Sequence, residues 1–120
     1  MRGKFGDKER LKHILDAIEE IEAYTANTEL KDFLANSMMR FASIKQIEII
    51  GEAANYLTPE TKSLFADIEW NQIIGMRHIL IHEYFGVDLE IVWEVVTIRI
   101  PQLSEEIKEI LNNLKDDDGI

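Results

Sequence analysis

A chain of 120 residues with 13 Lys and Arg against 23 Asp and Glu, a net charge of −10 and no cysteine is the size of one domain, and it excludes disulfides and thiolate metal centres. The acidic balance opposes nonspecific attraction to nucleic acid, which depends on Lys and Arg displacing counterions, so a nucleic-acid substrate has to be held by a local feature. The opening residues Met1 to Arg10 lack the apolar core of a secretion signal, and no apolar run reaches roughly 18 residues without a charged residue or His; a cytoplasmic protein with no membrane span is expected.

Taken in order, the chain reads as helix after helix. From Asp7, expected as an N-cap, apolar residues recur at Leu11, Ile14, Leu15, Ile18 and Ile21, the 3.6-residue stripe of a surface helix. His13 lies about 100° from Ile14 and is expected at the solvent boundary. Thr25 to Thr28 breaks the pattern, and Glu29 to Asn36 is expected to form a short helix carrying Phe33 and Leu34 inward. Ser37 is expected to cap a longer helix with apolar positions at Met38, Phe41, Ile44, Ile47 and Leu57. Gly51 inside it fits either close approach of another helix or plain tolerance, and Glu52 beside it either faces a site or is simply exposed.

Thr58-Pro59 is a cap followed by proline at the first helical position, predicting a brief helix to Phe65 that ends near Asp67. Trp70 to Tyr84 is the next helix, with Phe85-Gly86 as its glycine stop. Asp88 should cap the last long helix, whose stripe runs from Leu89 through Val92, Val96, Ile100, Leu103, Ile107 and Ile110 to Leu114, with a kink at Pro101. No strand-like alternation or repeat appears. The expectation is an all-α, up-and-down bundle of four to five helices over residues 1–115, followed by a frayed acidic tail at 116–120.

Within this scaffold one stretch is overloaded with chemistry. Gly75 to Gly86 sets Arg77, His78, His82 and Tyr84 in an apolar run. His78 and His82, four apart, share a helical face, as do Arg77 and Tyr84, seven apart, whereas Arg77 and His82 diverge by about 140°. Read as a metal site, the histidine pair has the spacing of helical zinc ligands, yet it lacks the general-base Glu after the first His and has no third ligand close in sequence, so no metal is expected. Read as acid–base chemistry, His82 moves a proton near neutral pH and Arg77 holds a phosphate, a pair that suits metal-free RNA cleavage. A symmetric dimer would ease the divergence of the two residues. Read as structure alone, Arg77 pairs with Glu52 or Glu83, His82 caps the helix end and Tyr84 packs at the boundary.

The spacing Arg77, four residues, His82, one residue, Tyr84 resembles the Arg-x4-His-x-Tyr motif of the HEPN superfamily, and its surroundings resemble the HepT-like branch, once a family of unknown function. The resemblance also covers Arg10 to Ile18, Ile49 to Ala53, Ile68 to Arg77, Tyr84 to Asp88 and Val92-Trp93. It implies a helical homodimer, a toxin of a type II toxin–antitoxin pair that acts as a metal-independent ribonuclease with no cofactor. It also implies a neighbouring antitoxin, a minimal nucleotidyltransferase of the MntA type that transfers AMP from ATP to the motif tyrosine. The roles it implies are Arg77 for phosphate stabilisation, His82 for acid–base work and Tyr84 as the AMPylation site; His78 and Glu52 are supporting candidates from their own positions in this chain. The family often has Asn directly after the motif arginine, where this chain has His78. The alternative function is a non-catalytic substrate- or nucleotide-binding subunit of a nucleotidyltransferase complex.

Overall fold

A computed structural model describes the backbone of residues 3–82 and 88–118 and, within them, the side chains of residues 6–76 and 88–114. Four long rods dominate the described residues. These are α1 (Gly3–Thr25), α3 (Ser37–Asn55), α5 (Trp70–His82) and a continuous rod made of α6 (Leu89–Glu94), a π-helical turn (Val95–Arg99) and α7 (Ile100–Asp118). Two short helices, α2 (Leu30–Ala35) and α4 (Pro59–Leu64), sit in the connections before and after α3. Helix α3 packs on both α1 and α5, α1 packs on α7, and α2 bridges α3 and α6.

Arg10 near the start of α1 lies over the ring of Tyr56 just past the end of α3, and Lys8 and Lys12 of α1 line the same shallow depression as Leu111 and Asn112 of α7. Both pairs of neighbours run antiparallel, as an all-α up-and-down bundle requires. No helix among the described residues is long and apolar enough to cross a membrane.

The core forms where the predicted stripes face each other. Leu11, Ile14, Ile18 and Ile21 of α1 meet Ile47, Ile50 and Ala54 of α3 and Ile100, Leu103, Ile107 and Ile110 of α7, each almost fully buried. Phe33 of α2 is sealed in against Trp93 of α6, with ring centroids 5.1 Å apart. His13 is exposed, as its wheel position predicts. The helix starts expected at Thr58 and Asp88 are also present. The Thr58 hydroxyl accepts from the Thr61 N–H, and the Asp88 carboxylate accepts from the N–H groups of Glu90 and Ile91.

Several expectations are corrected. Asp7 is not an N-cap, because α1 already begins at Gly3; its carboxylate is buried and accepts from the Thr58 N–H at 3.0 Å, the Thr58 hydroxyl at 2.6 Å and the Thr61 hydroxyl. The α3 cap is Asn36, whose side chain accepts from the Met39 N–H, and Ser37 is the first helical residue. Leu34, Met38 and Phe41 lie outside the core. The buried line on α3 is Ser43, Ile47, Ile50 and Ala54, and Met38 and Phe41 fall about 140–160° away from Ser43 on the wheel. Helix α7 extends to Asp118.

The break expected at Pro101 takes the form of the π turn just before it. Pro101 has no N–H and its ring crowds the carbonyl of Thr97, so a regular α-turn is disfavoured there. The chain widens by one residue instead, and the Ile100 N–H bonds back to the Val95 carbonyl.

Candidate functional site

The candidate site is carried on α5, so what fixes that helix comes first. The α4 C-cap, Phe65, starts a tight connection in which the Ile68 N–H bonds to the Phe65 carbonyl at 3.1 Å and the Trp70 N–H to the Ile68 carbonyl at 2.9 Å. Trp70 closes it. Its ring is buried and its indole N–H donates to the Phe65 carbonyl at 3.2 Å, so the first residue of α5 is pinned by both packing and a hydrogen bond. Upstream, α4 is itself tied to α1 through the Asp7 carboxylate. Further along α5, Ile73 is fully enclosed, while Ile74 and Met76 pack half-buried against the core.

From that anchor α5 runs as unbroken α-helix to His82, which gives Arg77, His78 and His82 a defined register. Trp70 and Ile73 mark the side of α5 turned to the core. Arg77 follows Trp70 by seven residues and Ile73 by four along the helix. Asn71, Gly75, His78 and His82 recur at i, i+4, i+7 and i+11, within about 60° of one another and on the other side of the helix. The divergence of Arg77 from His82 therefore stands, because no break in the helix relieves it.

Composition sets α5 apart as well. In a chain with 23 acidic residues, its thirteen positions contain no carboxylate, one arginine and two histidines. A phosphate bound along it meets no carboxylate belonging to the helix itself.

Of the other candidates, Glu52 is an exposed residue of α3, next to buried Gly51 on a helix that packs against α5. The side chains of Arg77, His78 and His82 lie outside the described set, as do residues Glu83, Tyr84, Phe85 and Gly86 altogether, and with them the expected glycine stop and the modification site. The shallow depressions at the α4–α5 connection are lined by residues such as Lys62, Glu69 and Asn71, or Phe65, Asp67 and Glu106.

A family model described as Ribonuclease HepT-like matches residues 14–110, a span running from the first turns of the α1 core stripe to the last buried isoleucine of α7. Among similar curated proteins, a "gamma-glutamylcyclotransferase and putative RNase" of Methanocaldococcus jannaschii is 46% identical over 104 residues, covering 87% of this chain and 47% of that protein. The chain thus spans about half the length of that relative. A "probable ribonuclease HepT" of Thermococcus cleftensis is 38% identical over 107 residues, covering 89% of this chain and 97% of that protein. A "putative RNase" of Caldanaerobacter subterraneus subsp. tengcongensis is 38% identical over 105 residues, covering 88% and 94%. No solved structure matches the chain significantly.

Proposed function

The chain belongs to the HepT-like family, and from that premise we propose that it is a metal-independent endoribonuclease of HEPN type that works as a homodimer. In this reading it is the toxin of a toxin–antitoxin pair, silenced when a partner nucleotidyltransferase antitoxin transfers AMP from ATP to Tyr84. The observation that carries the reading is α5 itself. A rigidly anchored helix, free of carboxylates in an acidic chain, bears Arg77, His78 and His82 within the span matched by the family model.

The chemistry follows from those residue types. His82 accepts the proton of a ribose 2′-hydroxyl, whose oxygen attacks the adjacent phosphorus. The bond from phosphorus to the 5′-oxygen breaks, and that oxygen takes up a proton, leaving a 2′,3′-cyclic phosphate and a 5′-hydroxyl. Arg77 neutralises the charge that builds on the non-bridging oxygens of the pentacoordinate intermediate, the form of electrostatic assistance that most often dominates such rates. His78 supplies a second hydrogen-bonding or titrating group one turn before His82, and Glu52 of α3 a supporting carboxylate.

Because Arg77 and His82 diverge on one helix, each site is composite. Arg77 of one protomer and His82 of its partner meet across an isologous interface formed by two copies of α5. AMP on Tyr84, two residues from His82, adds bulk and negative charge where an RNA phosphate would sit.

The test is complementation between dead variants. Arg77→Ala and His82→Ala should each abolish RNA cleavage and relieve growth arrest in a bacterial host. Refolded together in equal amounts, they should regain about a quarter of wild-type activity, since half of the dimers are mixed and each mixed dimer holds one intact composite site. A mixture as inactive as its components would overturn the composite site. Wild-type dimer that binds a nucleotidyltransferase but turns over no RNA would replace the enzyme with a non-catalytic binding subunit. Intact-mass analysis after co-expression with the partner should show AMP increments that disappear in Tyr84→Phe.

A further inference from the structure

Helix α3 is apolar on two sides. Its buried line, Ser43, Ile47, Ile50 and Ala54, belongs to the core. On the opposite side Met38, Phe41, Lys45, Ile49 and Glu52, with Tyr56 at the C-cap, recur within about 80° of one another. Met38 is 81% exposed and Phe41 and Tyr56 58% each, so three large apolar groups of this side stand in water, with exposed Lys45 and Glu52 and half-buried Ile49 between them. The charges of α3 are also arranged unlike those of the chain as a whole. Arg40 and Lys45 lie in its first half and Glu48 and Glu52 in its second, so in a protein at −10 this helix is neutral, basic at one end and acidic at the other.

We infer that this outer side of α3 seats a second copy of the chain, the two α3 helices running antiparallel with Lys45 of each protomer against Glu52 of the other. The inference rests on the homodimer reading and deepens it, extending the interface from α5 to α3, the helix that packs directly on it. An isologous contact reverses the direction of the partner helix, so the basic half of each α3 lies over the acidic half of the other, twice. Lys45 and Glu52 are two turns apart, and a two-fold axis passing between them, beside Ile49, makes both pairs at once. The apolar end at Met38 and Phe41 then closes over the Tyr56 end of the partner helix, covering the groups each protomer alone leaves in water. Two copies at −10 repel each other over most of their surface, and a neutral strip that is complementary to itself is where that repulsion is least. An RNA strand laid along the same strip would meet Glu48 and Glu52. The partner thereby contributes Lys45 beside Glu52, the supporting carboxylate of the composite site.

The experiment is a charge swap in the purified full chain, read by analytical ultracentrifugation at low salt. Lys45→Glu and Glu52→Lys each turn two attractive contacts into two repulsive ones, and each should weaken dimerisation on the order of tenfold to a hundredfold, less at high salt. Mixed together, the two variants should form a heterodimer of about wild-type affinity, because both contacts are again between opposite charges. Lys45 also lies 3.9 Å from Glu48 within its own protomer. That contact is lost in Lys45→Glu alone and in the mixture alike, so recovery on mixing reports contact between protomers. Phe41→Ser should weaken dimerisation about tenfold and leave the circular dichroism unchanged, since Phe41 lies outside the core. Wild type that sediments as a monomer fails the homodimer reading and this inference with it. A wild-type dimer that survives Lys45→Glu intact, or single variants that gain nothing on mixing, fail this inference alone. Phe41→Ser that dimerises like wild type but, in a His82→Ala background, binds a fluorescent single-stranded RNA more weakly would overturn it and give the face to RNA.

Discussion

Replacing Asp7 with alanine tests the joint that holds the start of α1 against the approach to α5. Its carboxylate is 2% exposed and accepts three hydrogen bonds from α4 and its cap, those of the Thr58 N–H, the Thr58 hydroxyl and the Thr61 hydroxyl. A hydrogen bond to a charged group contributes about 1.5–3 kcal/mol, and a buried donor left without a partner costs about 1–3 kcal/mol. The two hydroxyls can rotate towards other acceptors, so the bond from the Thr58 N–H carries most of the loss, and Asp7→Ala should destabilise the fold by about 3 kcal/mol. For a domain of this size that is a fall in Tm of roughly 10 °C. Asp7→Asn keeps one acceptor and the volume, and should cost about 1 kcal/mol, since its amide N–H2 can donate to hydroxyls that turn to accept. Urea titration at one fixed protein concentration gives both values, so that any self-association contributes equally to each. If Asp7→Ala unfolds within about 0.5 kcal/mol of wild type, the carboxylate does not tie α1 to α4.

Ser43 is fully buried on α3 and its hydroxyl has no hydrogen-bond partner among the described residues, so Ser43→Ala should stabilise the protein by about 1 kcal/mol in the same titration. Trp70→Phe removes the indole bond to the Phe65 carbonyl and part of the buried ring. It should cost about 2 kcal/mol and, by loosening the root of α5, lower RNA cleavage even in samples that remain fully folded by circular dichroism. Phe33→Ala opens a cavity beneath α2 and removes the contact with Trp93, and should cost about 4 kcal/mol, seen as a shifted urea midpoint with unchanged slope.

Much of the fold was legible because helices announce themselves locally. The stripe from Leu11 to Ile21 and the one from Val92 to Leu114 each recur at the helical period, and the cap at Thr58 with Pro59 behind it obeys rules that act within four residues. What failed did so where the deciding contact was distant in sequence. Nothing near Asp7 says that its carboxylate belongs to Thr58 and Thr61, more than fifty residues away. Apolar Met38 and Phe41 were assigned to the core because hydrophobicity alone does not tell which side of α3 meets α1.

The same division runs through the candidate site. By itself the sequence determined that Arg77, His78, His82 and Tyr84 lie close together on one segment, that Arg77 and His82 diverge by about 140° if that segment is helical, and which family their spacing resembles. These are consequences of residue order and of a helical period that is the same in every protein. Only the tertiary structure decided which side of α5 is turned inward. Trp70 and Ile73 are buried while Asn71 is exposed, which fixes the inward side at the start of α5. Orientation of a helix about its own axis is set by what packs against it, and the neighbours of α5 come from α3 and from a connection that ends on Trp70.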